Sequence, residues 1–386
     1  MSRVTLGEAF ILNPTVKLPK GAPAPFIDMA SLVPFTRDVS ASHHKPYGGG
    51  MKFCDGDVLM ARITPSLENG KTSIYRAAAD QKNAPAFGST EFIVIRGREG
   101  TSSSSFAYYL FTSPAVRDYS ISSMNGSSGR QRVQLDSLAS FEIDLPELQE
   151  QRAIAATLGA LDDKIESNRR TVMTISNLID ASSEKNSIDL PSVPLGEIAA
   201  TIKESVNPSK LGDVTVDHFS LPAFDSGARP ERVAASTIMS NKLKVPKCAI
   251  LVSRLNPRFN RTWWASVGTE TSALASTEFL VLTSEDALEL AAVWLAVRDP
   301  FFREELPKRV TGTSGSHQRV RPDDVLAIEV PDFRGASLKV KQSTLGLLMR
   351  AESLRIESDR LTALRDVLLP ELLSGRMQVP VGGVAS

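Results

Sequence analysis

The chain has 386 residues, 42% of them hydrophobic, with 44 basic side chains balanced by 44 acidic ones. That length suits two or three domains with a core in each; no run approaches the roughly 18 apolar residues of a membrane span, and the start, MSRVTLGEAFILNP, has no apolar stretch of a signal peptide. Cys54, Cys248 and four histidines are too scattered for a metal site, so they read as belonging to a cytoplasmic protein with reduced thiols, no disulfide and no bound metal.

In chain order, residues 1 to about 145 mix short β-branched runs with Gly, Pro and Ser. Asp57–Ala61 and Phe92–Ile95 predict buried strands bounded by turn residues, and Phe106–Tyr119 predicts a helix. From Gln149 to about Ser183 there is no Pro and one Gly. Ile154, Leu158, Leu161, Ile165, Asn168, Val172, Ile175 and Ile179 alternate there at spacings of four and three, a heptad seam with one polar position, Asn168. A helix of that length is roughly 50 Å long and needs a partner for its apolar stripe. Ala249–Val252 and Phe279–Leu282 predict strands again, Ala287–Arg298 a helix, and Val340–Leu373 a second long helix carrying Leu345, Met349, Leu354, Ile356, Leu361, Leu364 and Leu368, whose register the pattern leaves open. Pairing the two long helices antiparallel puts the globular parts at opposite ends of a rod.

The landmarks come twice. Val4–Glu8 returns as Val193–Glu197, Ser89–Phe92 as Ser276–Phe279, Gly126–Val133 as Gly312–Val320, and Lys164–Arg169 as Arg355–Arg360. The offset of about 190 residues is far beyond a solenoid period of about 20–50, so this is a duplicated domain. A target with two similar halves suits such a chain, and DNA is the commonest. The zero net charge argues mildly against DNA. Yet Arg232 to Thr269 holds Arg232, Lys242, Lys244, Lys247, Arg254, Arg258 and Arg261 with no acid, which reads either as a nucleic-acid patch or as an ordinary solvated surface.

Two loops in each half have the chemistry to meet DNA. Arg62, Thr64, Ser66, Asn69 and Lys71 place donors on a turn after a strand, with Arg254, Asn256, Arg258 and Arg261 at the same place in the second half. Arg reads guanine and Asn reads adenine by paired hydrogen bonds; the structural alternative is a turn built around Pro65, with Arg62 on a phosphate or an acid of its own domain. Ser127, Ser128, Arg130 and Arg132, and Thr313, Ser314, His317 and Arg319, belong to Gly/Ser loops ending in cations, where a backbone can approach a phosphate; the alternative is a flexible loop leading into a strand. Glu91 and Glu278 are expected to bond within their domains over Phe92 and Phe279 in the core. Gly70-Lys71-Thr72 has Pro65 where a phosphate-binding loop needs Gly, Asn256-Pro257-Arg258-Phe259 has no accompanying Gly-rich loop, and Asp162-Asp163-Lys164 lies on the heptad helix. Neither nucleotide binding, methyl transfer nor nuclease chemistry is expected, and no cofactor.

Across essentially its whole length the chain resembles the specificity (S) subunit of type I restriction-modification enzymes. Gly56–Lys71, Gly126–Arg132 and Leu145–Glu166 carry the resemblance, the last looking like the start of the family's central spacer helix. The second half departs from it: Arg254-Leu255-Asn256-Pro257-Arg258 replaces Arg62-Ile63-Thr64-Pro65-Ser66, and the run before the last helix lacks the Glu-Gln-Arg opening. The resemblance implies a mixed α/β (α+β) fold with two similar target recognition domains, 1–146 and 188–333. Two long antiparallel coiled-coil spacer helices, 147–187 and 334–376, separate them in a pseudo-two-fold repeat, with a tail at 377–386. It implies a non-catalytic subunit that reads a bipartite target in double-stranded DNA. Modification subunits, which methylate adenine from S-adenosylmethionine, and restriction subunits, which are ATP-dependent translocases and nucleases, would dock on it. The competing reading is a scaffold whose rod joins two protein-binding domains without touching DNA.

Overall fold

The computed structural model describes every residue except 83, 128, 269–270, 311–317 and 381–386. The chain forms two compact units: Met1–Ile165 with Asp359–Ser386, and Glu166–Ser358.

In unit 1, β1 (Ser2–Thr5) leads into α1 (Leu6–Ala9). Thr5 and Glu8 cap that turn reciprocally, each side chain taking the other's backbone N–H. There follow β2 (Phe10–Leu12), β3 (Pro23–Ile27), β4 (Asp38–Val39), β5 (His43–Pro46), β6 (Met51–Phe53), β7 (Val58–Ala61), β8 (Thr72–Tyr75), β9 (Ala86–Gly88) and β10 (Phe92–Gly97). Helices α2 (Ser104–Thr112), α3 (Pro114–Ser122) and α4 (Leu135–Ala139), then β11 (Glu142–Leu145), lead to the forty-residue α5 (Leu148–Ser187). Strands pair as β1-β11, β2-β10-β7-β8-β4 and β5-β3-β9-β6. β7 and β8 are buried on both faces, which is why their sequences are continuous apolar or small runs without alternation.

Unit 2 repeats the plan. β12 (Ser192–Pro194), α6 (Leu195–Ile198), β13 (Ala200–Ile202), β14 (Ser205–Val206), β15 (Thr215–Phe219), α7 (Leu221–Asp225), β16 (Glu231–Ala234), β17 (Lys242–Lys244), β18 (Cys248–Ser253), β19 (Thr262–Ser266), β20 (Ser272–Ser276) and β21 (Phe279–Thr283) come in order. α8 (Ala287–Arg298), α9 (Pro300–Glu305), α10 (Pro322–Leu326), β22 (Glu329–Pro331) and α11 (Leu338–Leu373) complete it. The sheets are β12-β22, β13-β21-β18-β19 and β14-β17-β20-β15-β16. The unusual step is preserved too: β3 pairs with β9 in parallel, and β15 with β20 in parallel, in otherwise mostly antiparallel sheets. Among the described strands and α-helices, only β4, β14 and α7 lack a counterpart.

The long helices pack within each unit. In unit 1, Ile154 and Leu158 share a core with Leu369 and Leu372, while buried Asp162 accepts from Tyr109 Oη (2.6 Å) and Arg365 Nη1 (2.9 Å). In unit 2, Ile175 and Ile179 share a core with Leu348, Ala351 and Leu354. Buried Asn168 there donates from Nδ2 to Glu357 Oε2 (3.0 Å), Ser358 Oγ (3.3 Å) and Leu354 O (3.5 Å). In each unit the α5 and α11 segments therefore run antiparallel. Of the seam positions, Leu161, Ile165 and Val172 are half-buried and the rest are buried. The register of α11 follows from the same contacts: Thr344, Leu348, Ala351, Leu354, Leu369 and Leu372 face inward, whereas Met349, Ile356, Leu364 and Val367 are exposed.

Candidate nucleic-acid interface

The separate motifs of each half meet in one knot. At the end of β7 the Arg62 N–H donates to Glu91 O, and the Val133 N–H donates back to Arg62 O, both at 2.9 Å. Arg62 is thereby stitched between the Ser-Thr-Glu-Phe turn and the end of the Gly/Ser loop. Its guanidinium turns inward: Nη2 donates to Val133 O (3.3 Å), and Nε is buried without a hydrogen-bond partner. Arg132 grips Glu91 with both arms, Nε to Oε2 at 2.9 Å and Nη2 to Oε1 at 2.7 Å. That bond holds the Glu91 carboxyl below its usual range, against the opposite effect of burial, with a smaller contribution from Arg62.

The second half builds the same knot. The Arg254 N–H donates to Glu278 O (2.8 Å), and the Val320 N–H donates to Arg254 O (3.0 Å). Arg254 Nη1 reaches Val320 O (3.4 Å), and its Nη2 donates to Thr277 O. Arg319 clasps Glu278 with Nε (3.0 Å) and Nη2 (2.7 Å). Even the rung beyond is kept: Thr64 N donates to Gln131 O (3.1 Å) and Asn256 N to Gln318 O (2.8 Å). In each knot one guanidinium bonds the carboxylate and a second, Arg62 or Arg254, acts on it through charge, leaving one net positive charge.

The other expected site residues divide into held and open ones. Thr64 Oγ1 accepts from Gln131 N (3.2 Å), and Lys71 Nζ donates to Met29 O (2.8 Å). Gly70 is required here, since its φ is +76° and a Cβ would stand 2.5 Å from the Phe35 ring. Ser66 is half-buried, whereas Asn69, Ser127 and Arg130 are exposed. In unit 2, Asn256 sits in the left-handed region, with its Oδ1 buried and unpartnered. Arg261 forms a two-armed pair with Asp225 (2.7 and 2.9 Å). Arg258 is exposed over the Phe259 ring at 4.8 Å. Ser128, Thr313, Ser314 and His317 lie outside the described residues.

The acid-free run of the second half is partly neutralised by acids from elsewhere in its unit. Asp217 pairs with Arg232, Glu204 with Lys244 and Asp225 with Arg261, while Lys242 is buried on Ser240. Glu91 and Glu278 do bond within their domains, with Phe92 and Phe279 fully buried in the core. No group of metal-ligating side chains occurs among the described residues, and no described helix is long and apolar enough to cross a membrane.

Residues 51–175, which include the first knot, match the family described as the type I restriction modification DNA specificity domain. Over that segment the chain is similar to type I restriction-modification specificity proteins. Two Escherichia coli relatives agree. The type I restriction enzyme EcoEI specificity subunit is 25% identical over 215 residues, covering 54% of this chain and 34% of the relative. The EcoAI specificity subunit is 32% identical over 126 residues, covering 32% and 21%. The matched segments thus span about a third or less of those relatives' own length. The solved type I restriction-modification S subunit from M. genitalium has the same fold, with a TM-score of 0.54 at 15% identity, covering 96% of this chain and 95% of that one.

Proposed function

We propose that the chain is the DNA-reading subunit of a type I restriction-modification complex, acting in the cytoplasm. Residues 1–146 and 188–333 serve as its two target recognition domains, each reading one half of a bipartite duplex target. The segments 147–187 and 334–376 serve as spacer helices that set the gap and dock the modification and restriction subunits. The chain itself performs no chemistry; methyl transfer and ATP-driven translocation belong to the partners. The observation that carries this reading is the doubled knot, in which Arg62, Glu91 and Arg132 recur as Arg254, Glu278 and Arg319 with the same bonds. Identical scaffolding around divergent loops, Thr64-Pro65-Ser66 against Asn256-Pro257-Arg258, is what two readers of different half-sites require. Docking is supported by Met349, Ile356, Leu364 and Val367, exposed apolar side chains that share one face of α11.

The test is binding by the chain assembled with its modification subunits, measured on duplex DNA over a range of salt. Specific binding with a steep salt slope, and methyl transfer only when modification subunits are present, is the expected result. Binding without a salt slope, or methyl transfer by the purified chain alone, would contradict it.

A further inference from the structure

The Arg–Glu–Arg knots commit most of the motif cations to partners inside their own domains, so the cations free to meet a phosphate have to be sought elsewhere. In unit 1 they gather on the β5-β3-β9-β6 sheet, with Lys45 on β5 at one edge and Lys52 on β6 at the other. β5 is an edge strand, and all four of its residues, His43-His44-Lys45-Pro46, are exposed. It runs directly into Tyr47-Gly48-Gly49-Gly50. No acid lies between Asp38 and Asp55. The Gly21 N–H donates to Tyr47 O (2.8 Å) and the Tyr47 N–H to Ala22 O (2.9 Å), which brings exposed Lys20 to the same tip. Among the described residues none of Lys20, Lys45 and Lys52 forms an ion pair; Asp28 feels Lys45 only as the weakest of several influences.

These lysines stand on an aromatic floor. Lys45 Nζ lies 4.0 Å from the Phe26 ring centre and Lys52 Nζ 5.7 Å from that of Tyr47, while Phe26 and Tyr47 both pack on Phe87 at 5.0 and 5.2 Å. Rings hold the ammonium groups in place without cancelling their charge. At the tip, Gly49 (φ +151°) has nothing within 4 Å of where a Cβ would stand, and Gly48 is equally open, so the backbone there is bare to a partner. Lysine and proline on an edge strand also guard against edge-to-edge pairing. That role does not call for a third lysine brought in from another turn, nor for the open glycines Gly48 and Gly49; Gly50 has a packing reason, since a Cβ there would collide with Gly88 O. The other end of β3 leads to Met29, whose carbonyl takes Lys71, so one strand joins this tip to the loop after β7.

Resting on the DNA-reading role above, we infer that the cluster of Lys20, Lys45 and Lys52 around the glycine-rich β5–β6 connection grips the phosphate backbone of duplex DNA beside the half-site that unit 1 reads. Fixed ammonium groups outside any ion pair, beside a bare tip, supply sequence-independent contact, which positions a reader without specifying bases.

The experiment uses the full chain assembled with modification subunits, the mapped target duplex, and an unrelated duplex of equal length, each titrated across NaCl. K20Q/K45Q/K52Q should weaken both duplexes in parallel by at least about tenfold, and should lower the salt slope by about 2 to 3, at roughly 0.9 per phosphate. The preference for target over unrelated DNA should stay unchanged. K20R/K45R/K52R should bind as the parent does, which separates charge from folding. An unchanged slope in the Gln variant, a loss confined to the target duplex, or an equal loss in the Arg variant each overturns the inference. If the parent assembly shows no salt-dependent binding to either duplex, the DNA-reading role itself falls, and this inference with it; parent binding that persists unaltered in the Gln variant removes the lysine cluster alone.

Discussion

Arg132 holds Glu91 through two parallel hydrogen bonds, and in doing so it pins the end of the Gly/Ser loop to the turn that precedes β10. The equivalent bond between Arg319 and Glu278 makes this the structural signature of the repeat. Charged two-armed pairs fix geometry as well as adding energy, so the carboxylates should matter for recognition although they repel phosphate.

E91Q keeps the shape of the side chain and removes its charge. It should release Arg132 and weaken recognition at one half-site while sparing the other; E278Q should do the reverse. Methylation of duplexes in which one half-site is randomised reads the difference. Equal effects of both variants on both half-sites would dissociate the knots from recognition.

The same bond has a pH signature. Because the folded Glu91 carboxyl titrates below its ordinary value, its contribution to stability is present above the unfolded value of about 4.3 and is lost as pH falls through the lower folded value. The difference in thermal midpoint between parent and E91Q should therefore be constant near neutrality and shrink in acid. A difference that grows as pH falls would assign the shift to another group.

Asp162 is a stronger test of the helix packing in unit 1. Its carboxylate is buried between Tyr109 and Arg365, and burial with Asp162 beside it keeps the Tyr109 phenol protonated well above the usual range. D162A leaves the Arg365 guanidinium, itself largely buried, with exposed Asp366 as its remaining carboxylate. The expected loss is about 3 kcal/mol of unfolding free energy in urea titration. A loss under about 1 kcal/mol would mean that Asp366 or water makes up for the missing partner.

Asn168 is the corresponding polar contact in unit 2. Asn168→Ala removes a buried donor with three acceptors and should cost about 1–3 kcal/mol. Asn168→Leu should recover most of that stability, because a polar residue in such a seam fixes pairing at the expense of stability. Denaturant midpoints of the two variants check this; equal losses would show that packing, not the polar contact, governs the site.

R62A and R254A probe the knot from its centre. Each should lower discrimination at a different half-site, by about 1–3 kcal/mol at a single base pair if the guanidinium reaches a base. Binding assays on single-substitution target duplexes read it, and unchanged profiles for both variants would take the knots out of the interface.

Much of this was legible before the structure. The duplication shows as repeated motifs, the strands Val58–Ala61 and Phe92–Gly97 as apolar runs bounded by turn residues, and the seam of α5 as a heptad spacing, all readable from the order of residues alone. The register of α11 was hidden for a physical reason: its inward positions include Thr344 and Arg365, while Met349, Ile356 and Leu364 point outward, so no apolar stripe marks the packed face. At the candidate interface the loops were visible as loops. The union of Arg132 with Glu91, forty-one positions apart, was not, because no local pattern encodes a long-range ion pair. The lysine cluster was missed because Lys20 and Lys45 become neighbours only through the pairing of Gly21 and Ala22 with Tyr47.

The central claim is that two similar units read two separate halves of one DNA sequence. Mapping methylated adenines across the source genome, with and without this gene, tests it most directly. A single bipartite motif, two specified parts separated by unspecified bases, should be methylated in the parent and lost throughout the genome on deletion. Methylation unchanged by the deletion, or a lost motif with one continuous specified part, would contradict the account.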